Sequence, residues 1–231
     1  MARINIAVDG HSSCGKSTLA KSLAFQLGYV YIDTGAMYRA VTYWALENGF
    51  INEGVVDSKQ IEASLNDVQV SFQYNTEQQR SDTLLNGENV EGFIRSMRVS
   101  SHVSAVSTIK AVRKKLVALQ QDLGVNGGVV MDGRDIGTVV FPQAELKLFM
   151  TASAAVRAQR RFEELQSKGD MVTYEEVFKN LTDRDYTDSN RTESPLKQAE
   201  DAIVIDNSEM SRETQMQLAL NYANERIGVT S

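Results

Sequence analysis

The chain has 231 residues, 42% hydrophobic and 23% charged, with 24 Lys and Arg against 30 Asp and Glu and a net charge of −6. That length buries one sizeable α/β core plus an insertion, and the acidic balance excludes a nucleic-acid polymer as a general partner, because binding phosphate chains takes surplus cations. A single cysteine, Cys14, excludes a disulfide framework and a Cys-rich zinc site, and no apolar run approaches the roughly 20 residues that span a bilayer.

The first strand signal is Ile4-Asn5-Ile6-Ala7-Val8, ending at Asp9. It begins so near the N-terminus that no signal peptide is expected, and the expected location is cytoplasmic with no membrane partner. Residues 10–17 then read Gly-His-Ser-Ser-Cys-Gly-Lys-Ser, a complete G-x-x-x-x-G-K-[ST] phosphate loop, followed by the helix-like Thr18-Leu19-Ala20-Lys21-Ser22-Leu23. Strand, glycine-bearing turn and helix start aim successive N–H groups at one point. The loop thus predicts an ATP cradle made of Gly10, His11, Ser12, Ser13, Cys14, Gly15, Lys16, Ser17 and Thr18. Lys16 reaches the β- and γ-phosphates in this reading, and the Ser17 hydroxyl ligates Mg²⁺.

Tyr29-Val30-Tyr31-Ile32 reads as a second strand and Ala36–Asn48 as a helix stopped by Gly49. Between about 60 and 95 the texture changes. Val68, Val70, Phe72 and Tyr74 alternate with polar residues in period 2, which predicts a half-exposed antiparallel strand, turned at Asn75–Gln79 and returning over Asp82–Asn86. Next, Val99, Val103, Val106, Ile109, Val112, Leu116, Leu119 and Leu123 recur every three or four residues, so 97–123 reads as one long helix. Gly128–Met131, Glu145–Met150 and Ala202–Ile205 are three more short buried strands, with helices at about 153–168, 173–184 and 211–226. The fold class is α/β with a five-stranded parallel sheet flanked by helices and a small antiparallel β-insertion.

A phosphate loop leaves the reaction open. Guanine-specific switches need D-x-x-G and N-K-x-D elements, and neither occurs. Arginines outnumber lysines 14 to 10, a bias that suits bidentate recognition of phosphate oxygens. Three clusters matter. Arg157, Arg160 and Arg161 stand at i, i+3, i+4; Arg184, Asp188 and Arg191 stand at i, i+4, i+7; and Asp132-Gly133-Arg134-Asp135 follows directly on a strand, where open parallel sheets bind ligands. Any one cluster alone also fits a solvated face carrying weak ion pairs. A kinase for another small acceptor such as UMP, AMP or a sugar acid, and a non-catalytic ATP-binding switch, are the alternatives. His11 and His102 have no partner spacing for a metal or a triad.

The chain resembles bacterial cytidylate kinases over nearly its whole length. The residues that carry the likeness are the phosphate loop, Ile32-Asp33-Thr34-Gly35-Ala36-Met37-Tyr38-Arg39, Ile94-Arg95 with its following helix, the stretch from Asp132 through Gly133-Arg134-Asp135 to Phe141-Pro142, and Arg184-Asp185-Tyr186-Thr187-Asp188-Ser189-Asn190-Arg191 with Ser194-Pro195-Leu196. The resemblance implies a single kinase domain with a core (about 1–59, 96–152 and 196–231), a monophosphate-binding β-insertion (about 60–95) and a helical lid (about 153–195). It implies transfer of the γ-phosphoryl group of ATP to CMP or dCMP by a monomer with Mg²⁺ as cofactor. By the same resemblance Arg39, Arg134 and Arg191 hold the acceptor phosphate, Arg184 stands near the transferring group, and Arg157 and Arg161 belong to the lid over ATP. Lys16, Arg134, Arg184 and Arg191 are then the catalytic set. Asp135 and Arg113 match the pair that reads cytosine, assisted by Thr34, and Ser104 and Asp188 match the residues near the ribose.

Two departures carry expectations of their own. His11, Ser13 and Cys14 stand where related loops often have proline, glycine and alanine, which the loop accepts where backbone angles are ordinary. Lys110 stands where many relatives have proline. On a straight helix Ser104 and Arg113, nine residues apart, would face opposite sides, so a break or bend is expected near Ser107–Ala111.

Overall fold

The computed structural model describes residues 3–75 and 80–228. In chain order these form β1 (Asn5–Gly10), α1 (Lys16–Leu27), β2 (Val30–Asp33), α2 (Thr34–Glu47), β3 (Ile51–Asn52), β4 (Val55–Val56), α3 (Ser58–Ser64), β5 (Val70–Asn75), β6 (Arg80–Leu85), β7 (Glu88–Asn89), α4 (Met97–Ser100), α5 (Val103–Ser107), α6 (Lys110–Leu123), β8 (Val129–Gly133), β9 (Leu146–Thr151), α7 (Ala154–Ser167), α8 (Tyr174–Asn190), β10 (Ile203–Asp206) and α9 (Arg212–Ile227). They group into two compact units, one running up to Ile32 and again from Leu123, the other spanning Asp33–Asp122.

The first unit is built on the five-stranded parallel sheet, in the order β10-β9-β1-β8-β2. β1 lies at its centre, and Ile6, Ala7 and Val8 are wholly buried, as an unbroken apolar run requires of a strand covered on both faces. Its register sets Asp9 opposite Gly133 of β8 and Gly10 opposite Met150 of β9, so the three strand ends lie level. Leu19 and Leu23 of α1, Leu146 and Leu148 of β9, and Ala219 and Ala223 of α9 belong to one core cluster with β1. Truncating a side chain as buried as Leu148 to alanine costs about 2–5 kcal/mol in such a core. Gly10 ends the strand at φ 145°, and a Cβ there would strike Met150 O of the neighbouring strand. Only glycine lets the chain turn away at this point.

α8 runs to Asn190, six residues beyond the end expected near 184. Its start is set by a capping box in which Thr173 Oγ1 accepts from Glu176 N and Thr173 N donates to the Glu176 carboxylate. The extra turns put Arg184 and Asp188 on one helix and make Arg191 its C-cap.

In the second unit β5 and β6 pair antiparallel from Val70↔Leu85 to Asn75↔Arg80, and β7 adds a short third strand. The predicted alternation holds from Val68 to Phe72, with Val68 and Val70 buried, and fails at Tyr74, which is exposed towards the tip. Residues 76–79 of the expected turn lie outside the described residues. The 60–95 stretch shares one core with α2 and with the helical residues that follow, through Met37, Val41, Ile61, Ile94, Val106 and Leu116.

The single helix expected over 97–123 is instead three. The apolar stripe survives from Val99 to Leu116, all within the same core, but the helix ladder is interrupted at Ser101-His102 and at Thr108-Ile109. Hydroxyls supply the reason. Ser101 Oγ donates to Met97 O, Ser107 Oγ to Ser104 O and Thr108 Oγ1 to Ala105 O, at 2.7–2.9 Å, and such local bonds compete with the i→i−4 ladder. Thr108 N and Ile109 N tighten to i−3 carbonyls. The second interruption falls within the expected Ser107–Ala111 window.

Candidate active site

The phosphate loop joins β1 to α1. Gly15, at φ 87°, precedes the first helical residue, Lys16. The Lys16 side chain is buried and folds back over its own loop, its Nζ donating to His11 O at 2.5 Å and reaching Cys14 Sγ at 3.7 Å. Burial, and then the nearby Arg134 guanidinium, hold its pKa below the ordinary lysine value. Ser17 Oγ donates to Asp132 Oδ2 at 2.9 Å, and Tyr31 OH donates to Asp132 Oδ1 at 2.8 Å. A hydroxyl and a carboxylate thus meet at the level ends of β1 and β8.

Ser13 departs from the expectation of ordinary loop angles. It sits at φ 59°, in the left-handed region, where an L side chain is strained and glycine is not. The loop is braced from below by Asn207, just after β10, whose Nδ2 donates to Cys14 O at 2.7 Å and to Gln215 Oε1 at 3.0 Å.

The three arginines of α7 do not act as one face. Arg157 is buried, donating to Ala152 O, to Ser12 O of the phosphate loop and to Asp185 Oδ2. Arg160 grips both the side-chain and main-chain oxygens of Asn207. Arg161 pairs with Glu164, one turn along its own helix. Asp185 faces the loop in addition: its Oδ1 accepts from Ser12 N at 3.4 Å and lies 3.5 Å from His11 Nδ1. Burial opposes its ionisation, yet His11 and Arg157 together hold its pKa below the usual aspartate value.

The remaining arginines converge. Arg134 Nε donates to Asp188 Oδ2 at 2.8 Å, and Arg191 lies between Asp188 (3.8 Å) and Asp135 (3.6 Å) while its Nε donates to Ser194 O. Arg184 is different, because its buried Nε has no hydrogen-bond partner among the described residues. Burial, reinforced by Arg134, pushes its pKa down to about 10. Beneath the cluster, Asp9 accepts from Ile136 N at 2.8 Å and from Gly137 N at 2.7 Å, pinning the turn that carries Arg134 and Asp135. Burial outweighs those two N–H groups and raises the Asp9 pKa to about 6.

In the second unit Asp33 caps α2, accepting from Ala36 N at 3.0 Å. Thr34, the first residue of that helix, is buried, and Arg39 Nη1 donates to Ser100 Oγ at 2.8 Å and to Ile94 O at 3.3 Å. The break after α5 decides how Ser104 and Arg113 relate. Arg113 is buried over the Tyr38 ring at 5.3 Å, and its Nη1 donates to Ser107 O, while Ser107 Oγ donates to Ser104 O. Ser107 therefore ties Arg113 of α6 back to the turn that bears Ser104.

The first unit thus gathers Lys16, Ser17, Arg134, Asp135, Arg184, Asp188 and Arg191, and the second gathers Thr34, Arg39, Ser104 and Arg113 around α2, α5 and α6. Sequence reasoning missed Asp9, Asp185 and Asn207. Asn207 follows the end of a parallel strand, as Asp132-Gly133-Arg134-Asp135 does, and that position was its available signal. Asp185 adjoins Arg184 within a quoted motif. Asp9 gave none, since a carboxylate closing a buried strand is legible only with its N–H donors in view.

The cytidylate kinase family pattern matches residues 6–225. The cytidylate kinase of Parabacteroides distasonis is 55% identical over 228 residues, covering 99% of this chain and 100% of that protein, and that of Flavobacterium johnsoniae is 54% identical over 229 residues, covering 99% and 100%. Among solved structures, an uncharacterized protein from Eubacterium ventriosum superposes with a TM-score of 0.50 at 10% identity, covering 96% of this chain and 99% of that one, which speaks to fold alone.

Proposed function

Because the chain belongs to the cytidylate kinase family, we propose a division of labour among its residues for moving the γ-phosphoryl group of ATP to CMP or dCMP, with CDP or dCDP and ADP as products. The reaction needs no general base. A nucleotide monophosphate has a second pKa near 6, so its attacking oxygen is already ionised at pH 7. What is left to the protein is alignment of two polyanions and stabilisation of the shared equatorial oxygens.

The observation that carries this reading is the crowding of Lys16, Arg134, Arg184 and Arg191 in an acidic protein, with the Arg184 Nε buried and unbonded. Merely retaining ATP needs no such surplus. Residues 10–18 cradle the ATP phosphates, with Lys16 on the β- and γ-phosphates. Arg39, Arg134 and Arg191 hold the acceptor phosphate and Arg184 faces the group in flight. Residues 153–195 form a lid, from which Arg157 and Arg161 serve ATP.

Cytosine offers an N4 amino donor and N3 and O2 acceptors, whereas uracil reverses the polarity at positions 3 and 4. A carboxylate facing N4 and a guanidinium facing N3 and O2 select cytosine, the roles given to Asp135 and Arg113, with Thr34 assisting. Ser104 and Asp188 take the ribose.

Mg²⁺ fits the oxygen donors present. Ser17 Oγ and Asp132 meet at 2.9 Å, and no group of three or more His, Cys, Asp or Glu that could hold a metal occurs among the described residues. That suits an ion which keeps several waters and takes its other ligands from substrate phosphates. Ser17 would hold it directly with Asp132 behind, and a bound ion would supply charge neutralisation at the donor phosphates. We place the enzyme in the cytoplasm as a monomer, since one chain supplies every role named here.

The test is ADP release from MgATP with CMP, dCMP, UMP and AMP offered singly, and again with the metal chelated. Turnover with CMP and dCMP that stops on chelation is the expected result. Turnover confined to UMP or AMP, or absent with all four, overturns the reading.

A further inference from the structure

Gly15 is the last residue before α1, and its carbonyl accepts the first helical bond, from Leu19 N at 3.1 Å. The N–H groups of Gly15, Lys16, Ser17 and Thr18 come before that bond and have no partner inside the helix. The helix itself fixes the direction of the last three. The first belongs to the Cys14–Gly15 peptide, and a glycine at φ 87° leaves that peptide free to turn over. In a planar trans peptide the carbonyl and the N–H point opposite ways. Whatever holds Cys14 O therefore decides where Gly15 N–H points.

Asn207 holds it. Asn207 Nδ2 donates to Cys14 O at 2.7 Å and to Gln215 Oε1 at 3.0 Å, while Gln215 Nε2 is spent on Met210 O at 3.1 Å. On the opposite side Arg160 Nη1 donates to Asn207 Oδ1 at 3.0 Å and Nη2 to Asn207 O at 2.9 Å. A guanidinium only donates, so the amide has one allowed orientation, with its nitrogen towards the loop. The main chain is pinned as well, Asn207 N donating to Thr151 O at the end of β9 at 2.9 Å. Asn207 and Gln215 are both buried, and a buried polar group that loses its partner finds no water to replace it.

We infer that Asn207 is a positioning residue for the donor nucleotide: by holding Cys14 O it keeps Gly15 N–H aimed at the phosphates, and Arg160 keeps the amide in the orientation that does so. The inference rests on the reading that residues 10–18 cradle ATP. A peptide released from Asn207 turns over, exchanging a donor to an anion for a carbonyl that repels it. The acceptor side is untouched, as none of these bonds involves a residue assigned to CMP.

Steady-state kinetics of the full chain, varying MgATP and CMP separately, test it on Asn207→Ala, Asn207→Asp and Arg160→Met, with a thermal melt of each. Asn207→Ala is expected to raise the KM for ATP about 5- to 20-fold, the scale of one lost charge-assisted contact, while the KM for CMP stays within about 2-fold. Asn207→Asp keeps the size and the oxygen facing Arg160 but sets an acceptor against Cys14 O, so its rise should be at least as large. Arg160→Met leaves the amide free to flip; a rise of about 3- to 10-fold in the KM for ATP alone is expected, and this variant carries the test if the Asn207 variants do not fold. A lowered melting temperature with the KM for ATP unchanged, or equal rises in both KM values, overturns the inference. Failure of the wild-type chain to phosphorylate CMP is a separate result that overturns the functional reading. The inference is then decided by calorimetric affinity for MgADP, which Asn207→Ala should weaken by the same factor; equal affinities in the two chains, or no binding to either, overturn it.

Discussion

Arg134 and Asp188 are joined within the arginine cluster, Nε to Oδ2 at 2.8 Å, and the second oxygen of Asp188 leans 3.8 Å towards Arg191. One carboxylate is thereby divided between two guanidiniums. Burial opposes its charge, but Arg134 and Arg191 hold its pKa below the usual aspartate value. Its share of stability is present above an ordinary value near 3.8 and is lost as pH falls through the lower folded-state value. The third guanidinium, Arg184, is left to bear its burial and the repulsion of Arg134 with little relief.

That imbalance predicts opposite effects on activity and on stability. Arg184→Met should lower kcat by about 10²-fold or more while the KM for ATP changes less than about 3-fold, since the contact matters chiefly as charge redistributes in the transition state. The same variant should stabilise the nucleotide-free protein by about 1 kcal/mol in urea unfolding, because a partly buried cation whose Nε is buried without a hydrogen bond has been removed. At pH 7 the wild-type side chain is fully charged, and kcat should decline as pH rises through about 10. Unchanged kcat in Arg184→Met would remove Arg184 from the catalytic set.

Asp9 carries a pH signature. Its folded-state pKa is about 6 against 3.8 ordinarily, so between those values the folded chain binds more protons than the unfolded one. Its contribution is full below pH 3.8 and is lost as pH rises through about 6. Carboxyl-carbon NMR should show this residue titrating near 6. Asp9→Asn should abolish that share of the pH dependence, and it should destabilise the protein by about 1–3 kcal/mol because an amide cannot accept from both Ile136 N and Gly137 N. A titration midpoint near 4 would contradict the balance between burial and those two N–H groups.

Ser13 stores strain that glycine would release. At φ 59° an L residue costs about 1–2 kcal/mol, offset by the greater unfolded-state freedom of glycine. Ser13→Gly should therefore raise thermal stability by the equivalent of about 0.5–1 kcal/mol. A destabilised Ser13→Gly would mean that the serine side chain makes a contact worth more than its backbone costs.

Much of the architecture was legible because it rests on local patterns. The apolar run at Ile4–Val8, the glycine-bearing loop and the alternation at Val68–Tyr74 each specify an element through short-range sterics and one buried face. The break at Ser101-His102 escaped the same reading, while the one at Thr108-Ile109 was expected. The stripe from Val99 to Leu116 records which side is buried, not whether the backbone ladder is intact, and the hydroxyls of Ser101, Ser107 and Thr108 interrupt the ladder without disturbing the stripe.

The site divides along the same line. Lys16, Ser17 and the arginines could be named from spacing and resemblance, because phosphate chemistry demands those residue types at those intervals along the chain. Their partners could not. That Arg157 turns to Asp185 while Arg160 grips Asn207 and Arg161 stays with Glu164, that Asp9 supports the Arg134 turn, and that Asn207 holds Cys14 are all long-range or competing choices. A linear pattern ranks residues by type and interval, but which of several nearby oxygens wins a guanidinium is settled only when packing brings distant segments within about 3 Å and removes the water that would otherwise serve each of them equally.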